Sequence, residues 1–132
     1  MTGYEVNAAG NGVAKLWKNG NTENLSDGSN YERGHSVFVL GSDVYVAGYK
    51  CNPSWQTYAQ LWVNGVQATI TDGSRGDADA RSVFVSDGVV YVAGDEYNNE
   101  EYSYVATLWV NGAPQALSDG IHSAQANFVF VK

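Results

Sequence analysis

The sequence predicts an all-β protein: a β-propeller of four-stranded antiparallel blades, three blades per chain. Three observations predict it. Distinct markers recur at one spacing, each repeat divides into four short strands, and the inner strands are apolar on both faces.

The first marker is Leu-Trp followed one residue later by Asn-Gly: Leu16-Trp17 with Asn19-Gly20, Leu61-Trp62 with Asn64-Gly65, Leu108-Trp109 with Asn111-Gly112. The second is Ser/Thr-Asp-Gly at Ser26-Asp27-Gly28, Thr71-Asp72-Gly73 and Ser118-Asp119-Gly120. The third is Ser-Val-Phe-Val at Ser36 to Val39 and Ser82 to Val85, echoed as Phe-Val-Phe-Val at Phe128 to Val131. Trp17, Trp62 and Trp109 are 45 and 47 residues apart, a period typical of propeller blades. The repeats run approximately over 1–35, 36–81 and 82–127, with 128–131 as a closing strand, the whole of 1–132 being one half-propeller unit.

Within the middle repeat, strand one is Val37-Phe38-Val39 and strand two is Val44 to Gly48, both rich in β-branched and aromatic residues. Strand three is Tyr58 to Val63. Asn64-Gly65 suits the two-residue hairpin whose central residues both need positive φ. Strand four is Val66 to Thr71, and a loop from Asp72 to Arg81 leads on to Val83. A sandwich strand with one wet face would alternate apolar with polar. Val44 to Ala47 and Val89 to Ala93 run without a polar break, so both faces are covered, as between neighbouring blades. The fourth strand, such as Gln115-Ala116-Leu117, is more polar and suits an outer edge.

Arg33-Gly34-His35-Ser36, followed by Val44-Tyr45-Val46-Ala47-Gly48, resembles the kelch repeat. In that family an Arg and a His precede the inner strand and a double glycine closes the second. Here Ala47-Gly48 and Ala93-Gly94 replace the double glycine, and Ala80-Arg81 replaces Gly34-His35. The resemblance implies a kelch-like propeller; it covers all three repeats in layout and is specific at the first. Nine of 13 residues match between Ser36–Gly48 and Ser82–Gly94, which points to a recently amplified or a designed repeat.

Fourteen acidic and seven basic residues give a net charge of −7, which disfavours nucleic acid and anionic membrane surfaces. Cys51 is the only cysteine, so neither an internal disulfide nor a thiolate zinc site is expected. One thiol is compatible with the cytoplasm, and the N-terminus lacks the pattern of a signal peptide; the compartment stays open. No nucleophile or zinc-protease motif accompanies His35 or His122, so no catalytic residue and no cofactor are expected.

Two kinds of candidate residue remain. The longer loops vary between repeats, and binding usually lives on varied loops over a rigid frame. There Trp55, outside the repeated Trp position, is either a platform for a glycan or partner or a cover for the blade top, with Tyr49, Tyr58 and Tyr97 as companions. Asp27, Asp72 and Asp119 close turns onto their own backbone or, alternatively, bind calcium once per blade; the first is expected, with no metal. For assembly, Gly3-Tyr4 aligns with Gly48-Tyr49, so the opening blade lacks strand one and most of strand two, as if cut from a longer array. Phe128, Val129, Phe130 and Val131 are an isolated strand one. Two copies exchanging these strands would make a six-bladed homodimer, inside the usual range of about four to eight blades.

Overall fold

The computed structural model describes residues 1–132. It contains eleven strands and no helix. The strands are β1 (Thr2–Val6), β2 (Gly12–Lys18), β3 (Asn21–Asn24), β4 (Glu32–Leu40), β5 (Asp43–Cys51), β6 (Thr57–Val63), β7 (Val66–Thr69), β8 (Ala78–Ser86), β9 (Val89–Asn98), β10 (Ser103–Val110) and β11 (Ala113–Ala116). They form three antiparallel sheets in sequence order: β1-β2-β3, β4-β5-β6-β7 and β8-β9-β10-β11. The first sheet lacks a strand on the side of β1.

The recurring markers are the fasteners of each sheet. Asn19, Asn64 and Asn111 have φ of 51°, 51° and 49°, and the following glycines 80°, 79° and 83°. Both central residues of each hairpin are therefore left-handed, where Asn and Gly are least penalised. The Asn side chain has a second task. Asn64 Oδ1 accepts the Val44 amide at 2.9 Å, and the Asn64 amide donates to the Val44 carbonyl at 2.9 Å. Asn111 repeats this with Val90 at 2.9 and 2.8 Å. The β6–β7 turn is thereby tied to the start of β5, so both short turns share one end of the sheet.

Ser/Thr-Asp-Gly works at the opposite end. Ser26, Thr71 and Ser118 hydroxyls accept the amides of Ala14, Ala59 and Ala106 at 3.0, 3.2 and 3.1 Å. A side chain thus continues the ladder where the main chain turns away, which is why β7 ends at Thr69 and not at Thr71. Asp27 takes the amide and hydroxyl of Ser29, Asp72 those of Ser74, and Asp119 the amide of Ile121. The glycines that follow have φ of 77°, 76° and 79°. These carboxylates close turns onto their own chain.

Inner strands are longer than their apolar cores. β4 starts at Glu32, so Arg33, Gly34 and His35 belong to it, and β5 runs to Cys51. The sequence expectation that strand two ends at Gly48 is corrected accordingly: β1 retains five residues in register with β2, from Thr2 opposite Leu16 to Val6 opposite Gly12. A shift in register falls between Gly34 and Ser36, and again between Ala80 and Ser82. At this crossing a Cβ on Gly48 or Gly94 would overlap the carbonyl oxygen of Arg33 or Asp79. Only glycine allows the backbones to meet so closely.

The sheets pack face to face through two cores. Trp62 is fully buried among Ala14, Leu16, Leu25, Val44 and Val46; Trp109 packs with Ala47, Ala59, Ala78, Ala80, Val83 and Val92. Each tryptophan thus faces the preceding sheet. Consecutive Val46 and Ala47 are both buried, so the two faces of β5 are covered. Strands β3, β7 and β11 are exposed along their length. Trp17, equivalent to Trp62 but with no preceding sheet, stays half-buried.

Candidate functional sites

The segment after β11 forms no strand, yet it is not loose. Ala124 and Ala126 amides donate to the carbonyls of Tyr104 at 2.8 Å and Gly94 at 3.2 Å. The Val129 amide donates to Ser82 Oγ at 3.2 Å, repeating the bond from Val83 to Ser36 Oγ at 3.3 Å. Phe38, Phe84 and Phe130 make a row with centroids 4.6 and 5.0 Å apart. Phe128–Val131 therefore lies against β8 as β8 lies against β4, but with no second strand to pair with. Phe128 and Phe130 remain 76% and 66% exposed. On the first sheet, β1 pairs with β2 alone. A Cβ on Gly3 would meet nothing closer than the Trp17 ring at 3.2 Å, whereas Gly48 and Gly94 each touch a backbone carbonyl. Tyr4, next to it, lies under the Arg33 guanidinium at 4.4 Å.

The aromatic residues of the loop face divide. Register pairs Lys50 with Tyr58 and Tyr49 with Ala59, so Tyr49 and Tyr58 leave opposite faces of the sheet and do not share a platform. The Tyr58 hydroxyl is occupied below the loop, accepting from Asn52 Nδ2 at 3.2 Å and donating to Gln56 Oε1 at 3.1 Å. Tyr97 belongs to the third sheet and packs edge-on to Tyr104 at 5.1 Å. Trp55 is 68% exposed and so does not cover the end of its sheet. Its companion is Tyr31, 6.1 Å away, which stacks on Tyr49 at 6.4 Å and leans on Tyr4 at 5.7 Å. Burial, with the Tyr4 hydroxyl second, pushes the Tyr31 phenol up to about 12, so it is a neutral hydroxyl at physiological pH. Beside Trp55 is a hollow of about 170 Å³ lined by Asn11, Ser29, Asn30, Tyr31, Asn52 and Trp55 among others, with no charged side chain.

His35 joins a charge cluster between the second and third sheets. Arg81 Nε donates to Asp95 Oδ1 at 2.5 Å, and Arg81 Nη2 lies 3.6 Å from Asp79 Oδ2. His35 Nε2 is 3.3 Å from Asp79 Oδ1 but misaligned for a hydrogen bond. Burial pushes the Asp95 carboxyl up and Arg81 opposes it. No nucleophile stands within this cluster's bonds; its members tie β4, β8 and β9 together.

Tyr31, Tyr102 and Ser82 escaped the sequence reading. Tyr31 lies just outside a strand, and its significance comes from neighbours distant in sequence. Tyr102 stands between Asn98 and Trp109, a segment one residue longer than Asn7 to Trp17 or Asn52 to Trp62. Ser82 belongs to the Ser-Val-Phe-Val marker, but its hydroxyl's reach to Val129 shows only in three dimensions. A further marker, Asn7/Asn52/Asn98, was legible and missed: each Oδ1 accepts the amide two residues on, at 3.0, 2.9 and 3.0 Å. Neither a family model nor a curated protein matches the chain.

Proposed function

We propose that the chain is a non-catalytic structural scaffold, half of a six-bladed kelch-like propeller that two copies close by exchanging strands. The observation that carries this is the pose of Phe128–Val131. It repeats the hydroxyl contact and phenylalanine spacing of an inner strand while presenting an unpaired edge. The free side of β1 is the complementary edge. Three blades closed on themselves fall below the usual range of about four to eight, and two copies fall within it. Two-fold closure is also the commonest assembly. Unpaired strand edges beside apolar side chains otherwise invite aggregation. Light scattering behind a sizing column tests the scheme. The expected mass is twice 14.2 kDa; a well-folded monomer at micromolar concentration refutes it. Truncation before Asn127 is expected to give aggregated or unfolded chains.

A second reading is favoured by one observation. The exposed indole of Trp55 stands beside an uncharged hollow, which supports a carbohydrate-binding loop face on the same scaffold. A glycan array probed with the intact protein tests it, and a blank array counts against it for the sugars displayed.

A further inference from the structure

The second and first sheets carry the same loop at the same end, and the two loops differ at one decisive position. In the first, Asn7 Oδ1 accepts the amides of Ala9 and Asn11, both at 3.0 Å, and the Gly10 amide donates to the Asn7 carbonyl at 3.0 Å. In the second, Asn52 Oδ1 accepts the amides of Ser54 at 2.9 Å and Gln56 at 3.0 Å, and the Trp55 amide donates to the Asn52 carbonyl at 2.9 Å. Gly10 and Trp55 are therefore equivalent. Gly10 has φ of 86° and Trp55 has 65°. A left-handed backbone suits glycine and is an outlier for a bulky residue. The chain thus places its largest side chain where its own first repeat uses none, and leaves it largely in water. The third sheet does something similar. Its β9–β10 loop puts Tyr102 at φ 54°, 81% exposed. Backbone strain at a non-glycine residue that also exposes an aromatic ring points to a role in contact.

We propose that Trp55 and the hollow beside it bind the ring of a neutral pyranose at the end of a glycan, with the indole under the sugar's C–H face. This rests on the loop face being a carbohydrate surface. The chemistry of the wall selects the class. A pyranose needs an aromatic plane for its apolar face and uncharged donors and acceptors for its hydroxyls. The hollow supplies the amides of Asn11, Asn30 and Asn52, the Ser29 hydroxyl and the neutral Tyr31 phenol. Several are fixed in advance: Asn11 Nδ2 donates to the Gly28 carbonyl at 2.9 Å, and Asn52 is held through both ends of its amide. Prior fixing lowers the ordering cost of binding. At about 170 Å³ the hollow is well below the ~300–1,000 Å³ of drug-sized sites, so it fits one ring and not an extended chain. A proline-rich peptide also uses aromatics and amides, but it needs a continuous groove.

The test is saturation-transfer NMR on the full chain at millimolar methyl pyranosides of glucose, galactose, mannose, fucose and N-acetylglucosamine, beside a proline-rich peptide. At least one pyranoside should take up saturation at its ring C–H protons. Trp55→Gly should weaken its binding at least tenfold while leaving the melting temperature unchanged or higher, since the backbone strain is relieved. Asn30→Ala, at a half-buried position, should weaken it severalfold and serves if Trp55→Gly fails to fold. Equal binding by folded Trp55→Gly or Asn30→Ala protein overturns this site while leaving a sugar-binding loop face standing elsewhere. Silence from every pyranoside together with a blank glycan array overturns both. Saturation of the peptide alone, lost in Trp55→Gly, overturns the sugar in favour of a peptide.

Discussion

If two copies close a ring as proposed, replacing Gly3 with alanine separates the folding of one chain from that closure. Within a chain the new methyl has a single near neighbour, the Trp17 ring at 3.2 Å, which moves aside with little cost. Alanine also restricts an unfolded chain more than glycine does, so the isolated chain should gain up to about 1 kcal/mol. In the closed ring, the residue opposite Gly3 would be Gln125 of the second copy, which occupies the repeat position of Arg33 and Asp79. The methyl would then overlap the Gln125 carbonyl, as a Cβ on Gly48 or Gly94 overlaps its own partner. Overpacking of this kind costs about 1–3 kcal/mol. Two junctions per ring double that to about 2–6 kcal/mol, and each ~1.4 kcal/mol is tenfold in Kd. Gly3→Ala should therefore weaken the dimer by about 30-fold or more. Sedimentation velocity over a dilution series measures it, with circular dichroism to show that the strands persist. A Gly3→Ala dimer as tight as the parent would refute the crossing of β1 with the exchanged strand. Gly94→Ala is the contrasting control, expected to destabilise each chain whether or not it dimerises.

Three further outcomes are expected. Trp62→Ala, which empties the core between the first two sheets, should cost about 3–5 kcal/mol, read as a lower urea midpoint. Burial raises Asp95, Glu32 and Glu96 above their ordinary 3.8 and 4.5, so the folded state holds protons more tightly than the unfolded one. Their charged forms oppose folding, and stability should rise as pH falls from 7 towards those ordinary values. The Ser29 and Ser74 hydroxyls lower Asp27 and Asp72, whose contribution is present above 3.8 and lost below it. Melting temperature should thus peak in mild acid and then fall; a monotonic decline from pH 7 would contradict the burial argument. The Cys51 thiol, buried and pushed up by that burial, should react with a disulfide reagent far more slowly in the folded than in the urea-unfolded protein.

Features that depend on local backbone geometry were legible in the sequence. Asn-Gly names its own turn, and Ser/Thr-Asp-Gly names a carboxylate-closed turn, because the conformational demand falls on the residues that carry the signal. Consecutive apolar residues in Val44–Ala47 announced a strand covered on both faces. Strand limits were less legible. Arg33 and His35 interrupt the apolar pattern, yet β4 includes them: Glu32 and Arg33 pair with Lys50 and Tyr49 beyond the core, and His35 is the extra residue at the register shift. The loop site was half legible: Trp55 stands outside the repeat, but register puts Tyr58 on the face opposite Tyr49, and Tyr31 joins Trp55 only through a ring contact between residues distant in sequence.

The loop that bears Trp55 is fixed by the side chains at its two ends and by the backbone amides of Ser54 and Trp55, none of which needs a particular side chain at positions 53 to 55. Asn52 holds its start, and Gln56 Nε2 anchors its end on the Gly73 carbonyl at 2.8 Å. Pro53, Ser54 and Trp55 lie between those two rivets, and the indole of Trp55 packs against the Tyr31 ring. A randomised library over these three positions should consequently leave the scaffold intact, provided Asn52 and Gln56 are retained and glycine or asparagine is permitted at 55. The loop is a natural place for grafting new specificities, and six blades would display two such grafts on one rigid ring.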